Sequence, residues 1–351
     1  MHHTDAGRLS GLLTLDAADQ LLTSSAIRTP AVRLARDGAV LPESAYTRGA
    51  TLAGKPLTGL VDGRKALALF GDGATVVFQG LHRYWAPIGD LIASLELELG
   101  HPCQANAYLT PPGAQGFAVH SDSHDVFVFQ THGSKRWEIH TEDGVDDVLM
   151  LPGMSVYLPT GTPHAARAQE EVSLHVTIGI NQLTWRGLVE RALRPLLDGV
   201  DDGHLPAGYL EDTTELTAGL VARLTGLAEA VRRVDVDAAT AREVDRFLTS
   251  RNPRLRGGLT DVLALQHLDD ATQLRRRPGH PCVLRNAGER LVVLLGDRSL
   301  EMPAWVRGAM EVVRSQDELR PADLAAAGLD ESSRLVLCQR LVREGLLEAR
   351  G

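Results

Sequence analysis

Gly116-Phe117-Ala118-Val119-His120-Ser121-Asp122-Ser123-His124-Asp125 runs directly into Val126-Phe127-Val128-Phe129-Gln130, a segment that is strongly β by composition. If the strand extends back through the first segment, alternation puts His120 and Asp122 on one face. Their Cα atoms are then about 6.6 Å apart, close enough to hold one ion. A second element follows: Gly153-Met154-Ser155-Val156-Tyr157-Leu158-Pro159-Thr160-Gly161-Thr162-Pro163-His164, a G-x5-P-x-G-x2-H pattern. Its glycines and prolines predict a strand, a tight turn and entry into another strand, which aims His164 back across a barrel.

His120, Asp122 and His164 together make a 2-His-1-carboxylate facial triad. Two neutral imidazoles and one carboxylate occupy one face of an octahedral metal, and the opposite face stays open, as in non-haem Fe(II) oxygenases. His-x-Asp alone is common; the second element makes the pattern specific. These three residues are the expected metal ligands and catalytic centre. His124 shares their strand face one step further along, which makes it a neighbour of the metal site or a substrate-facing group rather than a ligand.

Outward from this window, Ala68-Leu69-Phe70, Thr75-Val76-Val77-Phe78, Trp137-Glu138-Ile139 and Ser173 to Ile178 are short runs divided by Gly, Pro and Asp. They predict a β-rich region from about Leu60 to Ile180, interrupted by one helix around Ile88 to Leu99. Residues 1–45 carry Leu9, Leu12, Leu13, Leu21 and Leu22 at helical spacing and read as helical packing material. After Trp185 the helical pattern returns with Leu188, Ala192, Leu193 and Leu196, then Leu216, Leu220, Leu224, Ala228 and Val231. Residues 274–281 carry three arginines and two prolines and mark a boundary. Beyond it, a strand at Leu291 to Leu295 and helices at Pro303 to Val313, Pro321 to Ala327 and Ser332 to Glu344 have winged-helix-like spacing. Three domains are expected: 1–184, 185–273 and 274–351.

The chain has 351 residues, 44% hydrophobic and 23% charged, with a formal charge of -9. These are globular values that exclude a wholly disordered chain and predict more than one domain. The acidic balance argues against a general nucleic-acid or anionic-membrane binder. From residue 281 onward, 10 arginines face 11 acidic residues, so the C-terminal unit has no surplus charge for DNA either. Three dispersed cysteines, Cys103, Cys282 and Cys338, fit reduced thiols in a cytoplasmic protein. Neither a secretory signal nor a membrane-spanning segment is visible in the sequence. Lysine occurs only at Lys55, Lys65 and Lys135, which singles each of them out.

The run Asn106-Ala107-Tyr108-Leu109-Thr110-Pro111-Pro112-Gly113-Ala114-Gln115-Gly116-Phe117, His120-Ser121-Asp122, Gly133-Ser134-Lys135-Arg136-Trp137, Leu151 to His164, and Ser173-Leu174-His175-Val176-Thr177 resembles the cupin-like JmjC oxygenases of the ribosomal-oxygenase group. The resemblance implies an α+β chain: a double-stranded β-helix (the cupin/JmjC barrel), a helical middle domain that forms a homodimer, and a C-terminal winged-helix-like domain. It implies Fe(II) and 2-oxoglutarate as cofactors, with Lys135 on the distal carboxylate of 2-oxoglutarate. Asn106 and Tyr108 would line the cosubstrate pocket, and His175 would adjoin it.

The activity implied is hydroxylation of a residue in a protein or peptide, with ribosomal proteins as one candidate class. Two departures from the group are visible. Ser121 replaces an aromatic residue between the metal-binding His and Asp, and Gly179 stands where some members carry a polar residue facing the peptide. Two other readings stay open from the sequence: a cupin acting on a small molecule, and a ligand-sensing cupin fused to a winged helix.

Overall fold

The computed structural model describes residues 2–3, 11–115 and 117–349. Leu9 and Gly116 lie outside the described residues. The chain divides into two compact units, Met1–Gln182 and Leu183–Gly351.

The first unit is built on two sheets. Its strands are β1 (His2–His3), β2 (Val32–Arg36), β3 (Ala39–Val40), β4 (Thr47–Leu52), β5 (Lys55–Val61), β6 (Thr75–Phe78), β7 (Cys103–Thr110), β8 (Asp125–His132), β9 (Lys135–Thr141), β10 (Gly144–Met150), β11 (Met154–Leu158), β12 (His164–Ala168) and β13 (Ser173–Ile180). The large sheet has the order β1-β11-β8-β13-β7-β6-β2-β3 and the small one β10-β9-β12, while β4 and β5 form a separate hairpin.

Both faces of the large sheet are used, and strand alternation decides which side chain goes where. Tyr108 pairs with His175, Asn106 with Thr177 and Thr110 with Ser173, so these polar residues share one face. The alternate residues Ala105, Ala107, Leu174, Val176 and Ile178 face the other way. They form one buried core with Leu34, Val76, Phe78, and with Ile88 and Ile92 of the helix Ala86–Leu99. Between the two sheets a second core gathers Val126, Val128, Trp137, Ile139, Met150, Val156 and Leu158. The polar face of the large sheet thus lines the barrel interior.

Three local expectations need correction. The strand carrying Val126 to Gln130 begins only at Asp125. His120 and Asp122 precede it on a loop, whose backbone makes no continuous ladder: His120 bridges to His164 at the start of β12, and Gly161, in the turn before it, donates to the Asp122 carbonyl at 2.9 Å. Ala68-Leu69-Phe70 belongs to the helix Gly63–Gly71, whose start is fixed by the Asp62 carboxylate accepting from the Arg64 and Lys65 amides at 3.1 and 3.3 Å. Among the described residues of 1–45 only Leu15–Thr23 is α-helical, and Val32–Arg36 is a strand with Val32 and Leu34 fully buried against the sheet's helix side.

The second unit begins with the helices Trp185–Asp198, Thr214–Arg232, Val236–Phe247 and Gly258–Ala264. The strands β14 (Leu274–Arg276), β15 (Val283–Ala287), β16 (Arg290–Leu294), β17 (Ser299–Pro303), β18 (Glu318–Leu319) and β19 (Leu347–Ala349) follow, with helices Arg307–Ser315 and Glu331–Arg343 among them. They form two three-stranded sheets, β18-β14-β19 and β15-β16-β17. Leu274, Leu291, Met310, Leu324, Cys338 and Leu341 belong to their common core. Cys103, Cys282 and Cys338 are buried, and none is in a disulfide. No helix among the described residues is long and apolar enough to cross a membrane.

Candidate metal centre

His120 and His164 are joined by a single antiparallel bridge: the His120 amide donates to the His164 carbonyl at 3.0 Å, and the return bond is 2.8 Å. Their imidazole centroids stand 4.5 Å apart. Asp122 Oδ2 lies 3.7 Å from His164 Nε2, and one ligand atom from each of His120, Asp122 and His164 falls within 4.8 Å of the others. The turn that carries His164 is held by Asp125, whose carboxylate accepts from the Thr160 amide at 2.8 Å and hydroxyl at 2.7 Å. Burial alone would raise Asp125, but the bonds from Tyr157 and Thr160 win and hold it at about 2.

Each imidazole is oriented by the carbonyl two residues before it. His120 Nδ1 meets the Ala118 oxygen at 2.9 Å, and His164 Nδ1 meets the Thr162 oxygen at 2.9 Å. A carbonyl can only accept, so in both rings Nδ1 carries the proton and Nε2 keeps its lone pair. Burial also pulls His164 below the ordinary histidine range, against the bond to Thr162, which favours the neutral ring.

The three residues open onto a cavity of about 150 Å³ inside the barrel. Lys135, the first residue of β9, is 3% exposed, and its ammonium donates to Thr110 Oγ1 at 3.0 Å, whose hydroxyl is bonded in turn by Thr75 at 3.2 Å. Burial without an anionic partner lowers Lys135 to about 7. Lys65, by contrast, reaches the Thr47 carbonyl at 2.9 Å, outside the barrel interior.

Tyr108 and His175 stack at 4.8 Å with planes 3° apart, and Trp137 meets His175 edge-on at 5.4 Å. Burial first, then Lys135 and His164, push His175 well below the ordinary histidine range, so its ring is neutral. Burial raises Tyr108, keeping the phenol protonated. Asn106 also lines the cavity and accepts from the Gly80 amide at 3.0 Å. His124 is half-buried on the wall next to Gly179, where an added Cβ would overlap its imidazole.

All the residues expected at the site, His120, Asp122, His164, Lys135, Tyr108, Asn106 and His175, therefore line one cavity. Thr75, Trp137, Phe117 and Arg33, which the sequence does not mark as site residues, line it too, and Thr110, equally unmarked, holds the Lys135 ammonium. Thr110 had a signal, being the next inward position after Asn106 and Tyr108 on the same strand.

The donor set suits a metal with an oxygen-rich ligand beside it. Two imidazole nitrogens and a carboxylate match a divalent first-row ion. Buried nitrogens without a partner among the described residues, at Trp137 Nε1, His175 Nδ1 and Arg33 Nε, belong to residues of the same cavity, and those of Trp137 and Arg33 can only donate and call for acceptor atoms.

The JmjC domain family profile matches residues 85–145 and 139–188, which take in β7 to β13. The bifunctional lysine-specific demethylase and histidyl-hydroxylase NO66 of Branchiostoma floridae is 31% identical over 194 residues, 50% of this chain and 32% of that protein. Ribosomal oxygenase 1 of Homo sapiens is 34% identical over 132 residues, 31% of this chain and 20% of that protein. The chain thus spans about a third or less of the length of these curated relatives. Among solved structures, the Escherichia coli ribosomal oxygenase YcfD superposes with a TM-score of 0.54 at 17% identity, covering 97% of this chain and 91% of that one. YcfD in complex with cobalt and 2-oxoglutarate gives 0.50 at 17%, with coverage of 97% and 91%. Barrel, triad and profile agree: residues 85–188 match the JmjC domain profile, and the chain shares its fold with the ribosomal oxygenase YcfD.

Proposed function

We propose that the protein is an Fe(II)- and 2-oxoglutarate-dependent oxygenase that hydroxylates a residue of a protein or peptide. The observation that carries this reading is the convergence of His120, Asp122 and His164, with both Nε2 lone pairs free, in one cavity with the buried ammonium of Lys135.

His120, Asp122 and His164 would hold the iron, and Lys135 would take the far carboxylate of 2-oxoglutarate. When bound, the pair activates dioxygen, placing one oxygen atom in a C–H bond of the substrate and the other in the succinate that forms as 2-oxoglutarate loses carbon dioxide. Lys135 gains a counter-charge and keeps its proton once a carboxylate arrives. His175, neutral and stacked on Tyr108, offers a hydrogen bond without adding charge. Phe117, Trp137, Val126 and Val128 exclude water from the walls.

The protein substrate is supported by the relatives' printed activities, histidyl hydroxylation and ribosomal oxygenation. A basic ribosomal segment suits an acidic chain. The wider organisation is also part of this reading: a barrel domain over 1–184, a helical domain over 185–273 and a winged-helix-like domain over 274–351. The helices Trp185–Asp198 and Thr214–Arg232 bury no residue within the single chain, and the exposure of Leu220 and Leu224 supports a homodimer. Cysteines outside any disulfide support a cytoplasmic location.

The test is direct. With Fe(II), oxygen and 2-oxoglutarate the protein should form succinate, His120→Ala should abolish this and Lys135→Ala should weaken it. Mass spectrometry of cellular proteins with and without the chain should find a substrate gaining one oxygen atom. Succinate formation that ignores the triad substitution would exclude the reading.

A further inference from the structure

Arg33 enters the cavity from β2, and its guanidinium carbon stands 5.1 Å from the centre of the Phe117 ring. Its Nε is buried and has no hydrogen-bond partner among the described residues. A buried donor left unpaired is costly, and a guanidinium more so, because all five of its N–H groups can only donate. The sheet register carries this residue into the site: Arg33 pairs with Val77, Val77 with Tyr108 and Tyr108 with His175. Residues paired in such a row share a face, so Arg33 projects on the side of Tyr108 and His175.

Arg33 and Lys135 occupy different parts of the cavity. Lys135 is tied to Thr110 and through it to Thr75. Arg33 sits on Phe117, whose ring is 6.1 Å from Tyr108 and 5.9 Å from the His120 ring, on the loop that delivers a metal ligand. Among the described residues the walls hold two basic side chains, Arg33 and Lys135, and one carboxylate, Asp122. Under the oxygenase reading, the two charges of the iron and that of Lys135 balance Asp122 and the two carboxylates of 2-oxoglutarate. Among the described residues Arg33 is then the one charge on the walls with no counterpart.

We infer that Arg33 is a specificity-determining residue, and that the side chain admitted for oxidation is a hydrogen-bond acceptor, such as an imidazole, an amide or a carboxylate, and not an arginine or lysine. The inference rests on the oxygenase reading. A cationic target would bring a like charge beside Arg33 in a partly buried cavity, whereas an acceptor can meet the N–H donors of its guanidinium.

The test uses five nonapeptide libraries with randomised flanks and a fixed central His, Asn, Asp, Arg or Lys. Two readouts are taken with the full chain: retention on the immobilised metal-free protein, and gain of one oxygen atom in the Fe(II)-loaded protein. The His, Asn or Asp libraries should exceed Arg and Lys by about tenfold in both. Arg33→Met, close in shape but uncharged, should level the preference, and Arg33→Lys should restore it. Equal retention of the Arg and Lys libraries, retention of none, or a preference unchanged in Arg33→Met overturns the inference. Absence of succinate under all conditions, by contrast, sinks the oxygenase reading itself, while retention still reports on Arg33.

Discussion

His120 and His164 are stapled to each other through their own backbones, each donating its amide to the other's carbonyl, so the two imidazoles are placed by the main chain before any metal arrives. Such preorganisation predicts that the ligands can be removed without unfolding the barrel. His120→Ala, Asp122→Ala and His164→Ala should each lower Mn(II) affinity by about a hundredfold or more, read by calorimetry, with an unchanged circular dichroism spectrum. Affinity kept within threefold in any one of them would remove that residue from the ligand set.

Lys135 predicts a pH dependence whose sign is fixed by its environment. In the free protein it titrates at about 7. Below that pH the ammonium is already present, and above it the arriving carboxylate must draw in a proton. The dissociation constant of 2-oxoglutarate should therefore be flat on the acid side and rise up to about tenfold per pH unit on the alkaline side, with proton uptake visible as a buffer-dependent binding enthalpy. A profile without that rise would show that Lys135 does not meet the carboxylate.

The same lysine costs stability. Unfolded, it holds its proton up to about 10.5, whereas folded it releases it near 7, so across that window the unfolded state binds more protons and stability rises with pH. Lys135→Met should raise stability at pH 7 by on the order of 3 kcal/mol in urea unfolding while abolishing 2-oxoglutarate binding. A destabilised Lys135→Met protein would mean that the bond to Thr110 outweighs burial.

These site groups differ in how far the sequence revealed them. His164 is legible because Pro159 and Gly161 predict a turn into the next strand, and Lys135 because it is one of three lysines and matches the position that the resemblance assigns to 2-oxoglutarate. The loop carrying His120 and Asp122 was misread as strand, since local composition does not reveal that its backbone bonds go to Gly161 and His164. Arg33 escaped altogether. The five residues of β2 are too few for periodicity to separate strand from helix, and only pairing through Val77 to Tyr108 brings Arg33 into the site. The helix Gly63–Gly71 shows the same limit, its start being set by the Asp62 cap rather than by its apolar residues.

Gly179 gives His124 its room. A Cβ there would overlap the His124 ring and come within 3.3 Å of Gln104 Cγ. Gly179→Ser should therefore displace His124 and change the KM for the protein substrate by about tenfold, with 2-oxoglutarate affinity within twofold. Adding His124→Ala to Gly179→Ser should relieve the clash and recover part of the change. An identical KM in Gly179→Ser would show that His124 moves aside freely.

In the second unit, Arg277 and Asp261 form a buried ion pair at 2.5 Å, 7% and 5% exposed, and Asp261 also accepts from the Ala349 amide at 3.1 Å. Asp261→Ala would strand the guanidinium and should cost about 3–5 kcal/mol in that unit's unfolding. Replacing both residues with Asp261→Leu and Arg277→Met should cost less than the single change. The reverse order would mean that the main-chain bonds of Arg277 to Gly345 and Arg256, and not the pair, carry the stability.

The carbonyls of Ala118 and Thr162 that set both imidazole tautomers come from the peptide backbone, which every residue type supplies. Exchanging those two side chains leaves the oxygen atoms in place, so mutational drift can reshape the rim of the pocket while the basicity of the metal's nitrogen donors is inherited unchanged. A lineage could alter its target many times over without retuning the donors of its metal site.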